Sequence, residues 1–271
     1  MKFKKKILFN SDNQIWRLLI TSTDKLIIET RNTETKQVYF NCIELYTGKS
    51  IFSDTQFDEK CWIGIEDTFD DKIIFHEFAK PDMPGHKGIS VFDINTQKIL
   101  WKDEQYLFSF ICDGKIYAFK QKFESRDFYA LDLETGNIIE ELGEDYEKIN
   151  ELKSIAESQK GYDKYFFPST LSKLSKDSEA VNSAIKEKNI VGEIEYLEYE
   201  DSYFLSYHSN TRLKGTVNSF YAIDKEKNKI IFKEVLNTNL ELLMPDSFFT
   251  YKDLLILLKG KTQVEIYKID G

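Results

Sequence analysis

Cysteine, proline, glycine and histidine are all scarce in this chain of 271 residues, and each scarcity excludes something. The three cysteines, Cys42, Cys61 and Cys112, are odd in number and 19 and 51 residues apart. That fits neither a disulfide framework nor a zinc pattern. Each lies in an apolar run, so buried, reduced thiols are expected. The twelve glycines are scattered through turns and form no phosphate-cradling loop. No G-x-S-x-G elbow occurs, and His76, His86 and His208 have no Ser or Cys partner in a recognisable motif. The single basic run, Lys2 and Lys4 to Lys6, is short against a net charge of −9, which argues against a nucleic-acid partner. No window approaches the roughly 20 apolar residues of a membrane span. In MKFKKKILFN only Ile7, Leu8 and Phe9 follow the lysines, short of the about 7–15 apolar residues of a secretion signal. A cytoplasmic protein with no membrane attachment is expected.

What is abundant is aromatic. Twenty-one Phe and fifteen Tyr favour strands, and 41% hydrophobic residues suffice for a packed core. The organising phrase is Phe128 to Gly143, FYALDLETGNIIEELG, which reads as strand, turn, strand. Its turn recurs in LYTGKSIF, INTQKILW and KEKNKIIF. Glu44, Asp93, Asp132 and Asp224 form an acidic column; Thr47, Thr96 and Thr135 follow three residues on; Gly48, Gln97, Gly136 and Asn228 come next. Gly or Asn suits the positive φ of such a turn, and the acidic side chain caps its amides. The intervals between acidic residues are 49, 39 and 92, the first two typical of one four-stranded propeller blade.

The double interval contains an insertion, about 144–188. Tyr146, Ile149, Leu152 and Ile155 or Ala156 recur at helical spacing, and Ser178 to Ile185 is helix-like. Asp270 lies 46 residues after Asp224, in the acidic register, where a fourth strand is still due. The orphan N-terminal segment Lys6-Ile7-Leu8-Phe9 has the form of the missing strand, so the two termini are expected to share a blade, removing an exposed edge. The expected fold is therefore all-β: a five-bladed β-propeller of four-stranded antiparallel blades, closed by the N-terminal strand, in one domain over 1–271. The blades fall at about 14–54, 60–103, 105–142, 190–235, and 240–270 plus 1–10, with the helical insertion between the third and fourth. A six-bladed alternative would need strands within 144–188.

YALDLETGNIIEE and VFDINTQKILWK resemble the repeats of quinoprotein-type propellers, approximately A-x-D-x-x-T-G-x-x-x-W, although only Trp101 occupies the tryptophan position; Phe52, Glu140 and Phe232 replace it elsewhere. WRLLI, IIETR, EKCWIGIE and PDMPGHKGISVFDI resemble an uncharacterised family of bacterial propeller proteins. Both likenesses imply the fold and no activity or cofactor.

Chemistry-bearing residues gather in the first two units. Arg17, Glu29 and Arg31 are charged within or beside apolar strands, so they must be solvated or paired. An Arg17–Glu29 cross-strand pair is the expected arrangement, a polar site at a channel mouth the competing one. Trp62 and Glu66 alternate with Ile63 and Ile65 on a first strand, which would aim Glu66 toward the channel. The loop AKPDMPGHKG carries two of the four prolines and brings His86 and Lys87 near His76; His76, Glu77, Asp82 and His86 match no metal-binding spacing, and no metal or cofactor is expected. Arg17, Glu29, Arg31, Trp62, Glu66, His76, His86 and Lys87 are the ligand-binding candidates; no catalytic residue is assigned. The leading expectation is a non-catalytic propeller that binds a protein or peptide. The alternative is a carbohydrate or small-molecule binder, or a hydrolase, with its site at the channel mouth.

Overall fold

A computed structural model describes residues 1–80, 83–171 and 179–270. They form two compact units, Asn13–Gly161, and Met1–Asp12 with Tyr162–Gly271. In chain order, β1 (Lys2–Asn10) belongs to the latter. Asn13–Gly161 then folds into three four-stranded antiparallel meanders: β2 (Gln14–Ile20), β3 (Lys25–Arg31), β4 (Val38–Glu44) and β5 (Ser50–Thr55); β6 (Ile63–Phe69), β7 (Lys72–Lys80), β8 (Met83–Asp93) and β9 (Lys98–Asp103); and β10 (Leu107–Cys112), β11 (Lys115–Gln121), β12 (Arg126–Asp132) and β13 (Ile138–Gly143). Helix α1 (Tyr146–Ser158) closes this unit, its first turn capped by the Asp145 side chain on the Lys148 amide. Ile149 and Ala156 bury against Phe110, Cys112 and Phe128.

The second unit starts with a 3-10 turn (Tyr162–Lys164), then β14 (Tyr165–Phe166), β15 (Ser169–Thr170) and α2 (Glu179–Ile185). Next come β16 (Ile190–Tyr199), β17 (Ser202–Thr211), β18 (Gly215–Asp224), β19 (Lys229–Asn237), β20 (Phe248–Tyr251), β21 (Leu254–Lys259) and β22 (Gln263–Asp270). They make two five-stranded sheets, β15-β16-β17-β18-β19 and β1-β22-β21-β20-β14.

The four turn copies share one geometry. Gly48, Gln97, Gly136 and Asn228 have φ of +73°, +55°, +71° and +49°, and Asp93, Asp132 and Asp224 each accept from the backbone amide three residues on, at 2.6, 2.8 and 2.9 Å. Beyond the turn, Phe52, Trp101, Glu140 and Phe232 stand opposite Cys42, Val91, Ala130 and Ala222, each after one bulged residue. Gly136 is required twice over, since a Cβ there would come within 2.7 Å of Trp101. A second bulge recurs in the opening strands, where Trp16, Glu66 and Ser109 are the extra residues of β2, β6 and β10.

The N-terminal strand does pair with the last one, β1 with β22, in a register that sets Lys2 opposite Asp270 and Phe9 opposite Val264. The reason is Phe3, which stacks on Phe232 at 4.6 Å and meets Phe204 at 5.9 Å. Three expectations need correction. Residues 240–247 are loop, so the opening strand of the last sheet is only β20. The insertion is not purely helical: β14 and β15 add two-residue strands to β20 and β16. Finally, Cys42 and Cys112 are buried, but Cys61 is partly exposed in the loop before β6, its thiol 3.9 Å from the Thr35 carbonyl. Of the residues expected to be helical, Ser178 lies outside those described.

The turn between β6 and β7 fastens the first two sheets together. Asp71 accepts from Lys25 Nζ at 2.6 Å, from Asn95 Nδ2 at 2.8 Å and from the Thr23 hydroxyl. Partial burial opposes ionisation, but these bonds and the Lys25 charge more than offset it, holding the carboxyl at about 2. A depressed pKa contributes stability that is complete above the ordinary value of 3.8 and is lost as pH falls toward 2. The shift corresponds to roughly 2.5 kcal/mol, and screening at this partly exposed site reduces it to about 1 kcal/mol. Asp71→Asn should therefore cost about 1 kcal/mol in urea titrations at pH 7. The difference from wild type should shrink as pH falls through about 2 and vanish below it; a difference independent of pH would refute the assignment.

Candidate functional site

Six of the eight sequence candidates meet at the adjoining strands of the first two sheets. Arg17 and Glu29 are direct cross-strand neighbours, but they are not each other's partners. Glu29, fully buried, is gripped by Arg31, with Nε and Nη2 each within hydrogen-bonding range of Oε1 at 2.7 and 2.6 Å. Arg31 Nη2 also approaches the Ile63 carbonyl at 3.4 Å, and Arg17 Nη1 donates to the Ile65 carbonyl. Both guanidinium groups thus reach from the first sheet to the β6 backbone. Trp16, the bulged residue of β2, lies over Arg31 with 4.9 Å from guanidinium carbon to ring centroid, and is 61% exposed.

The second sheet supplies Glu66, His76 and His86 from three successive strands. His76 stands opposite Gly64 on β6, and His86 stands opposite Phe78 on β8. Two bulges make this possible. One inserts Glu66 into β6; the other lies in β8 opposite His76, where Gly88 has φ +69°. Bulges re-aim side chains in this way at the edges of sites. The result puts two imidazoles face to face, centroids 3.5 Å apart and 5° from parallel, with Nδ1 of His76 and His86 at 3.1 and 2.6 Å from the same Glu66 oxygen. Phe78 sets its ring at 80° and 85° to the two imidazoles. Gly64 is needed for space: a Cβ there would lie 2.9 Å from His76 Cε1. Burial pushes the Glu66 carboxyl up, but the hydrogen bonds and charge of His76 and His86 bring it below its ordinary value.

Lys87 and Trp62 are not part of this group. Lys87 points away, 2.9 Å from Glu104. Trp62 lies in the loop before β6, its amide bonded to Glu59 and its carbonyl to the Phe78 amide. Glu77 faces Lys102 at 2.6 Å, and Asp82 lies outside the described residues. Sequence reasoning missed Trp16 and Phe78. Phe78 carried a usable signal, since it shares a strand face with His76 two residues away.

A second polar cluster lies in the other unit. His208 Nε2 accepts from the Met244 amide at 3.1 Å and lies 2.9 Å from Asn218 Nδ2; Asn218 continues to Ser206, and Ser206 to Ser247 at 2.7 Å. Burial lowers the His208 pKa, which suits an imidazole that accepts at Nε2. The cluster tethers the 240–247 loop to β17 and β18.

Residues 20–101 match the model of a domain of unknown function (DUF4905), a stretch containing Glu29, Arg31, Glu66, His76 and His86 but not Trp16 or Arg17. No curated protein matches the chain. Among solved structures, a eukaryotic initiation factor is 8% identical with a TM-score of 0.35; the match covers 95% of this chain and 53% of that one, so this chain spans about half its length. A member of the duf4221 family from Bacteroides vulgatus is 10% identical over 98% of this chain and 97% of that one, with a TM-score of 0.34. The β-propeller domain of the Trilobed protease from Pyrococcus furiosus is 11% identical over 96% and 69%, with a TM-score of 0.32. Likenesses of this size transfer neither activity nor ligand. No helix among the described residues is long and apolar enough to cross a membrane.

Proposed function

We propose that the five sheets are the blades of one propeller domain over residues 1–271, closed by β1, and that it serves as a non-catalytic binding module for a peptide segment of a protein partner. The shared turn geometry of four sheets and the β1–β22 pairing support the architecture. The free thiols Cys42, Cys61 and Cys112 accord with a cytoplasmic setting. The observation that carries the binding reading is Trp16. Its exposed indole is held on a guanidinium that a buried carboxylate anchors. Trp and Arg dominate the energetics of protein interfaces, and a side chain fixed beforehand loses little entropy on binding. An apolar or aromatic residue of the partner packs on the outer face of the indole, with Arg17, Arg31 and His86 providing polar contacts around it.

Capture from native lysate at moderate salt tests this reading. The wild-type chain is expected to retain a stoichiometric partner. Trp16→Ala, which removes an exposed side chain and should keep the wild-type circular dichroism, is expected to weaken retention at least about 30-fold, an interface hot-spot effect. Failure to recover any stoichiometric partner, or equal retention by the variant, would refute it.

A further inference from the structure

The Glu66–His76–His86 cluster contains more than a hydrogen-bonded pair requires. His76 is 4% exposed, its Nε2 has no hydrogen-bond partner, and its Nδ1 shares an acceptor with His86. Its Nδ1 lies 3.1 Å from the Glu66 oxygen, but that oxygen already bonds His86 Nδ1 at 2.6 Å. Leaving a buried imidazole nitrogen unmatched costs about 1–3 kcal/mol. The surrounding structure nevertheless fixes this ring on three sides, with the Gly64 backbone, the edge-on Phe78 and the stacked His86. The three ligand atoms, two imidazole nitrogens and a carboxylate oxygen, all lie within 4.8 Å of one another.

We propose that Glu66, His76 and His86 form a binding site for a divalent transition-metal ion, of the zinc class. Two neutral nitrogen donors and one carboxylate suit zinc and its first-row neighbours better than calcium or magnesium, which take mainly oxygen ligands. The ion gives His76 Nδ1 a bond of its own in place of the 3.1 Å contact it shares with His86, and neutralises Glu66. His86 is 42% exposed at the side chain, so the remaining coordination positions open to solvent. Three protein ligands with an open side is the arrangement of a site that also accepts an exogenous group. The ligands come from three neighbouring strands of one sheet, and the ion enters by replacing the 2.6 Å hydrogen bond between Glu66 and His86. The chain spacing alone, which sets these histidines beside Glu77 and Asp82, gives no reason to expect this; the β6 bulge brings in Glu66 from ten residues upstream of His76. The ion does not depend on Trp16 holding a partner, so either reading stands if the other fails.

The test is titration of the full chain with cobalt(II), followed by competition with zinc and by thermal melting. One equivalent of cobalt should bind with visible absorption typical of nitrogen and oxygen ligation, zinc should displace it, and the melting temperature should rise with added zinc. His86→Ala, whose side chain is partly exposed and should not disturb folding, is expected to weaken binding at least tenfold and to abolish the melting shift. Glu66→Gln should do the same with the fold confirmed by circular dichroism. No stoichiometric cobalt binding would overturn the proposal. So would binding unchanged in His86→Ala, or binding abolished by Cys61→Ser, which would place the ion on that thiol.

Discussion

Removal of residues 1–10 is expected to lower the melting temperature of the Met1–Asp12/Tyr162–Gly271 unit by about 10–20 °C, the size that roughly 5 kcal/mol implies for a domain of this class. β1 is nine residues long and an integral strand. Eight of its residues are in register with β22, from Lys2 opposite Asp270 to Asn10 opposite Gln263. Phe3 wedges between Phe204 and Phe232, and Ile7 is buried. Burying Ile7 contributes about 1.5–3 kcal/mol, and the partly buried Phe3 contributes less. Lys5 adds an ion pair of 3.0 Å to Glu265, which is itself buried and would keep the Lys259 ion pair at 3.1 Å and the bonds from Tyr267 and Gln263. The deletion also leaves the full edge of β22 unpaired in water. Differential scanning calorimetry of the truncated chain checks the loss, and adding a synthetic peptide of residues 1–12 in trans should restore part of it by strand addition. Unchanged melting of the truncated chain would show that β1 is a dispensable tail.

The second large effect is expected at Phe75. Phe75→Ala should cost about 3–5 kcal/mol in equilibrium urea unfolding, the range for truncating a buried aromatic. Its ring is fully buried and meets Phe40 at 4.8 Å, Phe57 at 4.9 Å and Phe92 at 6.4 Å. These aromatics come from β4, the loop after β5, and β8, so one ring joins the cores of the first two sheets. Phe75→Leu retains most of the volume and should cost about 1.5 kcal/mol or less. Because Phe75 precedes His76, the leucine variant also reports on the site: metal affinity that falls with little loss of stability would mean that the aromatic core positions the imidazole. A cost below about 1 kcal/mol for the alanine variant would contradict the packing.

The four-copy turn was legible because its chemistry is local: an acidic cap and a residue tolerant of positive φ at fixed spacing specify the hairpin by themselves. The β1–β22 pairing was legible by elimination, but its register was not. KFKKKILF alternates poorly, and only the aromatic pocket formed by Phe204 and Phe232 reveals that Phe3 is the anchored residue. Residues 240–247 misled for a related reason. Leu240, Leu242, Leu243 and Met244 look like strand, yet the Met244 amide is taken by His208 instead of a neighbouring strand. At the candidate site, His76 and His86 stand out by closeness in sequence, and Arg17, Glu29 and Arg31 by charge in an apolar setting. Which carboxylate meets which cation depended on bulges at Trp16, Glu66 and Gly88, and a one-residue slip has no signature in residue type.

The six residues from Tyr165 to Thr170 have a consequence for solution behaviour. β14 covers the edge of β20 and β15 the edge of β16, so one short strap occupies two strand edges at once. Phe167, between them, stacks on Phe249 at 5.4 Å and helps hold the strap down. Unpaired strand edges recruit further chains. What reads in the sequence as a decoration between repeats therefore acts as a guard against self-association. Trimming 144–188 to tidy the repeat would expose two adhesive edges together, and the trimmed chain would be expected to exchange strands with its own copies more readily than the intact one.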